Sequence, residues 1–181
     1  MGYADATAEA IAREAGMSKA TFYEHFANKE DCILGLVDRA HVRIMGALDA
    51  VRSTQSDLPP DARYRQSIRA LLTVISQYPD YVQTLLVEII GAGPRAAQRR
   101  DEVLSEIAAY IEERNAADAD AGTAPRLASS CDAYAVVGAT LELASRQIRT
   151  GEPEDIMDLE PVIERLLRGV LIAAEDQAPA A

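Results

Sequence analysis

Between Thr7 and Phe26 the run T-A-E-A-I-A-R-E-A-G-M-S-K-A-T-F-Y-E-H-F gathers three hydroxyl residues, a lysine, a tyrosine and a histidine around two short apolar patterns. Thr7 can cap a helix reaching about Ala15, with Ile11 and Ala15 four apart on its inner face and Ala8 and Ala12 beside them. Gly16 ends that helix, because a glycine just past the last helical residue tolerates the left-handed turn, and Met17 can plug the space between the helices. Ser18 caps a second, short helix from Lys19 to Phe26, its hydroxyl reaching the amide of Ala20 or Thr21, and buries Phe22 and Phe26 at a four-residue spacing. A short helix presented by a tight turn fits a major groove, where its first residues meet base edges. The chemistry offered is hydrogen bonding to bases and phosphates.

Other residue types offer less. His25 and His41 with Cys32 do not have the spacing of a known metal site, and surface or phosphate-facing histidines are the better reading. No Gly-rich phosphate loop, paired metal ligands or Ser-His-Asp pattern is recognisable, so the chain reads as no enzyme, with no cofactor and no metal. Glu88 and Glu142 lie in apolar helices. Each could receive a ligand amine or hydroxyl, pair with Arg69 or Arg146, or stay a partly solvated acid. Tyr64, Tyr78, Tyr81, Tyr110 and Tyr134 could line an aromatic ligand cavity or be ordinary core. With Ile68, Leu85 and Glu88 they make up the candidate pocket. R-A-A-Q-R-R-D-E at 95 to 102 reads as a solvated helix start.

These residues need helices to hold them. The chain has 181 residues, of which 49% are hydrophobic, enough for one sizeable core or two small ones. No run of about 18 apolar residues and no signal peptide is present, so the default location is the cytoplasm and no membrane partner is expected. Cys32 and Cys131 form neither a disulfide framework nor a zinc site. The net charge is −11; residues 1–52 hold six Lys or Arg against eight Asp or Glu, net −2, and residues 53–181 hold twelve against twenty-one, net −9. Repulsion from the larger part would confine nucleic-acid binding to the N-terminal end.

Asn28 caps a third helix continuing to about Ser53, with an apolar stripe from Ile33 to Val51. Residues 53–62 are turn chemistry. Further helices are expected over Tyr64–Tyr78, stopped by Pro79, over Tyr81–Ile90, and from Pro94 through Ile111. The polar stretch Asn115–Pro125 reads as a loop with little to bury. Leu127–Ile148 and Leu159–Ala174 are apolar or small on nearly every side, which requires cover on both faces. Either they form a deep core, or each chain contributes the pair to a four-helix bundle between two subunits, through Val137, Leu141, Ala144, Val162, Leu166 and Val170. No strand alternation or repeat appears, and the chain reads as all-α.

The residues A-T-A-E-A-I-A-R-E-A-G-M-S-K-A-T-F-Y-E-H-F-A-N-K-E-D closely resemble the helix-turn-helix of the tetracycline-repressor (TetR) family of bacterial transcription regulators, from Ala6 to about Val37. Ile11-Ala12, Ala15-Gly16, Ser18, Phe22-Tyr23, His25-Phe26 and Lys29-Glu30 stand at the family's spacing. The resemblance implies an N-terminal helix-turn-helix (1–46) joined by a long helix to a helical ligand-binding and dimerisation domain (47–181). It implies a homodimeric regulator, usually a repressor, with two partners besides its own copy: operator DNA and a small-molecule effector. The DNA-binding set is Thr7, Ser18, Lys19, Ala20, Thr21, Tyr23, His25 and Lys29. Lys19, Ala20 and Tyr23 match base-contact positions, and Thr7, Thr21, His25 and Lys29 match phosphate contacts. Glu9 and Glu24 depart from the pattern by placing acid near the reading surface. Family members also carry a helix ahead of Gly2-Tyr3. The expectation is that this chain is truncated at its front and that without that helix Ile11, Phe22 and Phe26 would be exposed. The reading from another class is a helical small-molecule-binding or interaction protein that does not read DNA.

Overall fold

Thr7 Oγ1 accepts the amide of Ala10 at 3.1 Å, and Ser18 Oγ accepts that of Thr21 at 3.0 Å, so each hydroxyl satisfies an amide its helix leaves unpaired. They open α1 (Ala8–Glu14) and α2 (Lys19–His25), with Gly16 turning the chain between them at φ +67°. The computed structural model describes residues 3–54, 57–78 and 83–176, and among them there is no strand. Ala8, Ala12 and Phe22 form a small core of their own, with Ile11, Phe26 and Cys32 packed against it. Phe22 is therefore buried, and Ile11 and Phe26 half-buried, where exposure was expected. The tilted stack of Phe22 on Phe26 and the fit of α1 onto α2 supply the cover.

Asn28 Oδ1 accepts the Asp31 amide at 2.9 Å and starts α3 (Lys29–Thr54). Its 26 residues span about 39 Å and run unbroken through position 46, the expected domain boundary. Ile33 and Val37, near its start, already belong to the body's core. α4 (Pro60–Gln77) begins on a proline, whose missing N–H costs a helix nothing at its first position. Pro79, expected to stop α4, and Tyr81 lie outside the described residues.

The expected α-helix over Tyr81–Ile90 is instead a π-helical stretch, Gln83–Glu88, followed by a 3₁₀ turn, Ile89–Gly91. So few residues contain too few repeats for an apolar pattern to separate a wide turn from an ordinary one. α5 (Pro94–Asp120) also differs from expectation, for it continues through the polar residues read as a loop. Asn115 and Asp118 are buried because they are paired. Asn115 donates to Pro125 O at 2.8 Å and accepts the Leu127 amide at 2.7 Å; Asp118 takes the Arg63 guanidinium and the Tyr64 hydroxyl. Together they fasten the following turn to α4.

α6 (Ser130–Thr150) and α7 (Glu160–Asp176), separated by a 3₁₀ turn at Ile156–Leu159, complete the body. α6 packs along α5, and α7 lies against α4, where Arg65 pairs with Glu164 at 2.8 Å and Arg69 with Glu160 at 2.9 Å. Leu72, Ala96, Ala133 and Ala144 are sealed from solvent at its centre. Among the described residues no helix is long and apolar enough to cross a membrane.

Candidate DNA-reading head and effector cavity

The outer face of α2 is the exposed part of the head. Tyr23 leaves 48% of its surface in solvent, and its ring packs edge-on against the buried Phe22, which fixes its direction. Lys19 sits 5.8 Å from the Tyr23 ring centroid and is ion-paired with Glu9 of α1. That pairing lowers the Glu9 carboxyl below its ordinary range, chiefly through the hydrogen bond from Lys19, and raises the Lys19 ammonium. Ala20 is exposed, and Thr21 Oγ1 lies 2.9 Å from Ser18 Oγ. Thr7, Ser18 and Thr21 are thus committed to capping or to one another, while Ala20, Tyr23 and His25 remain on the exposed side.

Lys29 is placed differently from its expected phosphate role. Its ammonium donates to the carbonyls of Tyr3, Ala4 and Ala6 at 3.0, 3.2 and 3.1 Å and lies 4.6 Å from the Tyr3 ring centroid. A lysine has three N–H donors, so none is left for DNA. Tyr3 in turn donates its hydroxyl to Ala92 O at 3.3 Å, and burial raises its phenol, with Glu30 adding. Arg95 at the start of α5 reaches Glu30 at 3.2 Å and Asp31 at 2.9 Å. Four residues on, Arg99 bridges Asp38 at 2.7 Å and Glu106 at 3.0 Å. The 95–102 segment read as solvated therefore ties α3 to α5.

Among the described residues, three apolar cavities open in the body. The first, about 90 Å³, is lined by Tyr64, Ile68 and Tyr110 of the expected pocket, with Ser67, Arg114 and Thr140 as further polar groups. Burial raises both the Tyr64 and Tyr110 phenols. The second, about 60 Å³, takes Tyr78 and Leu85, with the Arg43 guanidinium stacked 4.1 Å from the Tyr78 ring centroid. A third, about 70 Å³, shares Ala40, Ile44, Leu85, Leu86 and Leu141 with the second and Ile107 with the first. Tyr134 does not join them; it is 39% exposed on the outer face of α6. Tyr81 and the Glu88 side chain lie outside the described residues. Glu142 is exposed and pairs with Arg149 at 3.0 Å.

The expected interface residues divide. Val137, Leu141 and Ala144 are buried in the chain's own core and present nothing to a partner. Val162 and Val170 are half-buried, and Leu166 is exposed. On helices apolar all round, spacing cannot separate the inner stripe from the outer one. The exposed large apolar residues of these two helices are Tyr134, Leu166 and Ile172. Sequence reasoning also missed the cationic groups at the cavities, Arg39 and Arg43 on α3, Arg100 and Arg114 on α5. Arg39 and Arg43, four apart, were the available signal.

The described residues thus form a helix-turn-helix head carried by a long helix on a helical body with internal cavities. Residues 1–36 match the family described as bacterial regulatory proteins, tetR family. The fatty acid degradation regulator FadR of Bacillus halodurans superposes with a TM-score of 0.75 at 18% identity, over 91% of this chain and 85% of that one. FadR of Bacillus subtilis, in complex with stearoyl-CoA, gives 0.77 at 16% identity over 92% and 89%. Thermus thermophilus FadR, a TetR family repressor in complex with lauroyl-CoA, gives 0.72 at 21% identity over 98% and 91%. Residues 1–36 thus match the DNA-binding head of the tetR family, and the chain as a whole shares the fold of these FadR regulators.

Proposed function

We propose that the chain is a dimeric, ligand-responsive repressor that binds a palindromic operator through α2 and releases it when an effector with a long aliphatic chain, such as a fatty acyl-CoA, enters the body. The observation that carries this is the construction of α3. Its first residue, Lys29, holds the N-terminal segment of the head, the next two, Glu30 and Asp31, hold Arg95 of the body, and Ala40, Ile44 and Leu48 further along form cavity wall. A guest that pushes on the wall acts on the helix that carries the head. The acyl-CoA class is supported by the aliphatic lining and by the two FadR proteins seen with stearoyl-CoA and lauroyl-CoA.

On DNA, Lys19, Ala20 and Tyr23 face the bases, and His25, Thr7, Thr21 and Ser18 lie towards the backbone. Two such heads reading successive major grooves need half-site centres about 34 to 36 Å apart. The dimer forms through the outer faces of α6 and α7, where Tyr134, Leu166 and Ile172 are exposed. The head spans 1–46 and the effector and dimerisation body 47–181.

The experiment is operator selection from a random DNA library at two salt concentrations, followed by titration of the selected site with palmitoyl-CoA. A palindrome whose occupancy falls as ligand is added is expected; ligand can shift the balance only by its preference for the released state, typically about 1 to 3 kcal/mol. Operator and ligand binding with no mutual effect would remove the switch. No selected site would favour the helical small-molecule-binding alternative.

A further inference from the structure

The cavity of about 70 Å³ between α3, the Gln83–Gly91 segment, α5 and α6 is walled by aliphatic side chains such as Val37, Ile44, Leu86 and Leu104. Two nitrogens break that lining. Arg100 Nε and His41 Nε2 are both buried, and among the described residues neither has a hydrogen-bond partner. Buried polar atoms in folded chains are nearly always paired, so two orphans in one apolar cavity call for an acceptor.

Their neighbours do not supply it. Glu106 Oε2 lies 3.2 Å from His41 Nε2 but in a direction that makes no hydrogen bond, and Glu106 Oε1 is already held by Arg99 at 3.0 Å. Among the described residues Arg100 pairs with Asp101, 3.7 Å from its terminal Nη1 and not from Nε. The Arg100 side chain is 32% exposed, so it reaches from the cavity to solvent. The neighbouring cavity adjoins this one across the shared walls Ile44, Leu85, Leu86 and Leu141.

We propose that His41 and Arg100 form an acceptor-binding subsite for the carbonyl or carboxylate oxygen at the head of an aliphatic effector, whose chain runs on between Ile44, Leu85, Leu86 and Leu141. This rests on the effector reading above and adds the residues that recognise the effector's polar end. A thioester carbonyl and a free carboxylate share the required sp² oxygen. The larger remainder of a thioester would leave past the exposed part of Arg100.

The test compares three probes on the full chain by titration calorimetry: palmitoyl-CoA, the thioether S-hexadecyl-CoA, which lacks the carbonyl oxygen, and palmitate. Wild type is expected to prefer palmitoyl-CoA over the thioether by about tenfold or more, the worth of a hydrogen bond from a charged donor. Arg100→Met should bring that ratio to about one with little change for the thioether, and His41→Leu should lower it. Palmitate binding tighter than palmitoyl-CoA would assign the subsite to the carboxylate. Equal binding of ester and thioether by wild type overturns the subsite and leaves the effector reading standing; so does an Arg100→Met variant that weakens both alike. Should Arg100→Met not fold, the wild-type ratio decides alone. Binding of none of the three removes the effector reading and the subsite with it.

Discussion

Lys29 and Tyr3, 26 positions apart, meet twice: the ammonium donates to the Tyr3 carbonyl at 3.0 Å and lies 4.6 Å from the centroid of the same residue's ring. One cation therefore fixes both the backbone and the side chain of the residue that hydrogen-bonds to the body at Ala92.

Lys29→Ala should consequently act on stability before it acts on DNA. Losing three charge-assisted bonds at a half-exposed site costs about 2 kcal/mol, or roughly 6 °C in melting temperature for a chain of this size. Operator affinity should fall without a change in its salt dependence. A salt slope reduced by about one unit would restore Lys29 to a phosphate.

Glu9 holds the Lys19 ammonium that the proposed reading of DNA requires. Glu9→Ala removes the ion pair and leaves the lysine free, so nonspecific DNA affinity should rise, most clearly at low salt. Lys19→Ala should alter which operators are selected, and Tyr23→Ala should weaken all of them. Unchanged selection in both variants, read from the random library, would take the base-reading role away from α2.

Asp118 is a buried carboxylate of the body. Asp118→Ala removes the carboxylate that the Arg63 guanidinium and the Tyr64 hydroxyl share, and should cost about 3 kcal/mol. Denaturant unfolding would show it as a lower midpoint with an unaltered slope. Because Tyr64 also lines the first cavity, effector affinity should fall in the same variant.

Acid should loosen α7 from α4. The Glu164 carboxyl is held below its ordinary value, first by the hydrogen bond from Arg65 and then by the charges of Arg65 and Arg168. A lowered folded-state value stabilises above the unfolded one, and that contribution disappears as the pH falls through the folded one. Melting temperatures measured from neutral pH downwards should therefore drop below the ordinary glutamate range, and Glu164→Gln should make the drop shallower.

Leu166 and Ile172 test the pairing of two chains. Leu166→Glu with Ile172→Glu places charge on the exposed stripe while leaving the inner one intact, so sedimentation should give a folded monomer with weakened operator binding. A dimer that survives both changes lies elsewhere.

The head was legible because its signals are local. Thr7, Gly16 and Ser18 act on amides and torsions within three residues of themselves, and the structure puts each at the helix boundary its chemistry requires. What failed to show in the sequence depends on distant partners. Asn115 and Asp118 look like loop residues until Arg63, Tyr64 and Leu127 are brought to them. Lys29 looks like a phosphate ligand until the carbonyls of Tyr3, Ala4 and Ala6 fold over it. Val137 and Leu166 both sit in apolar stripes, and only packing separates the core from the outer surface.

Gly93 turns the chain into α5 at φ +112°, and a Cβ placed there would stand 3.2 Å from Glu30 Oε1. That carboxylate is one of those held by Arg95. A side chain at 93 would therefore be strained itself and would press on the acid that anchors the long helix, with neither operator nor effector touched. In a genetic screen for repressors deaf to inducer or permanently released, position 93 should be recovered repeatedly, as a lesion in the conversation between the two ends of the protein.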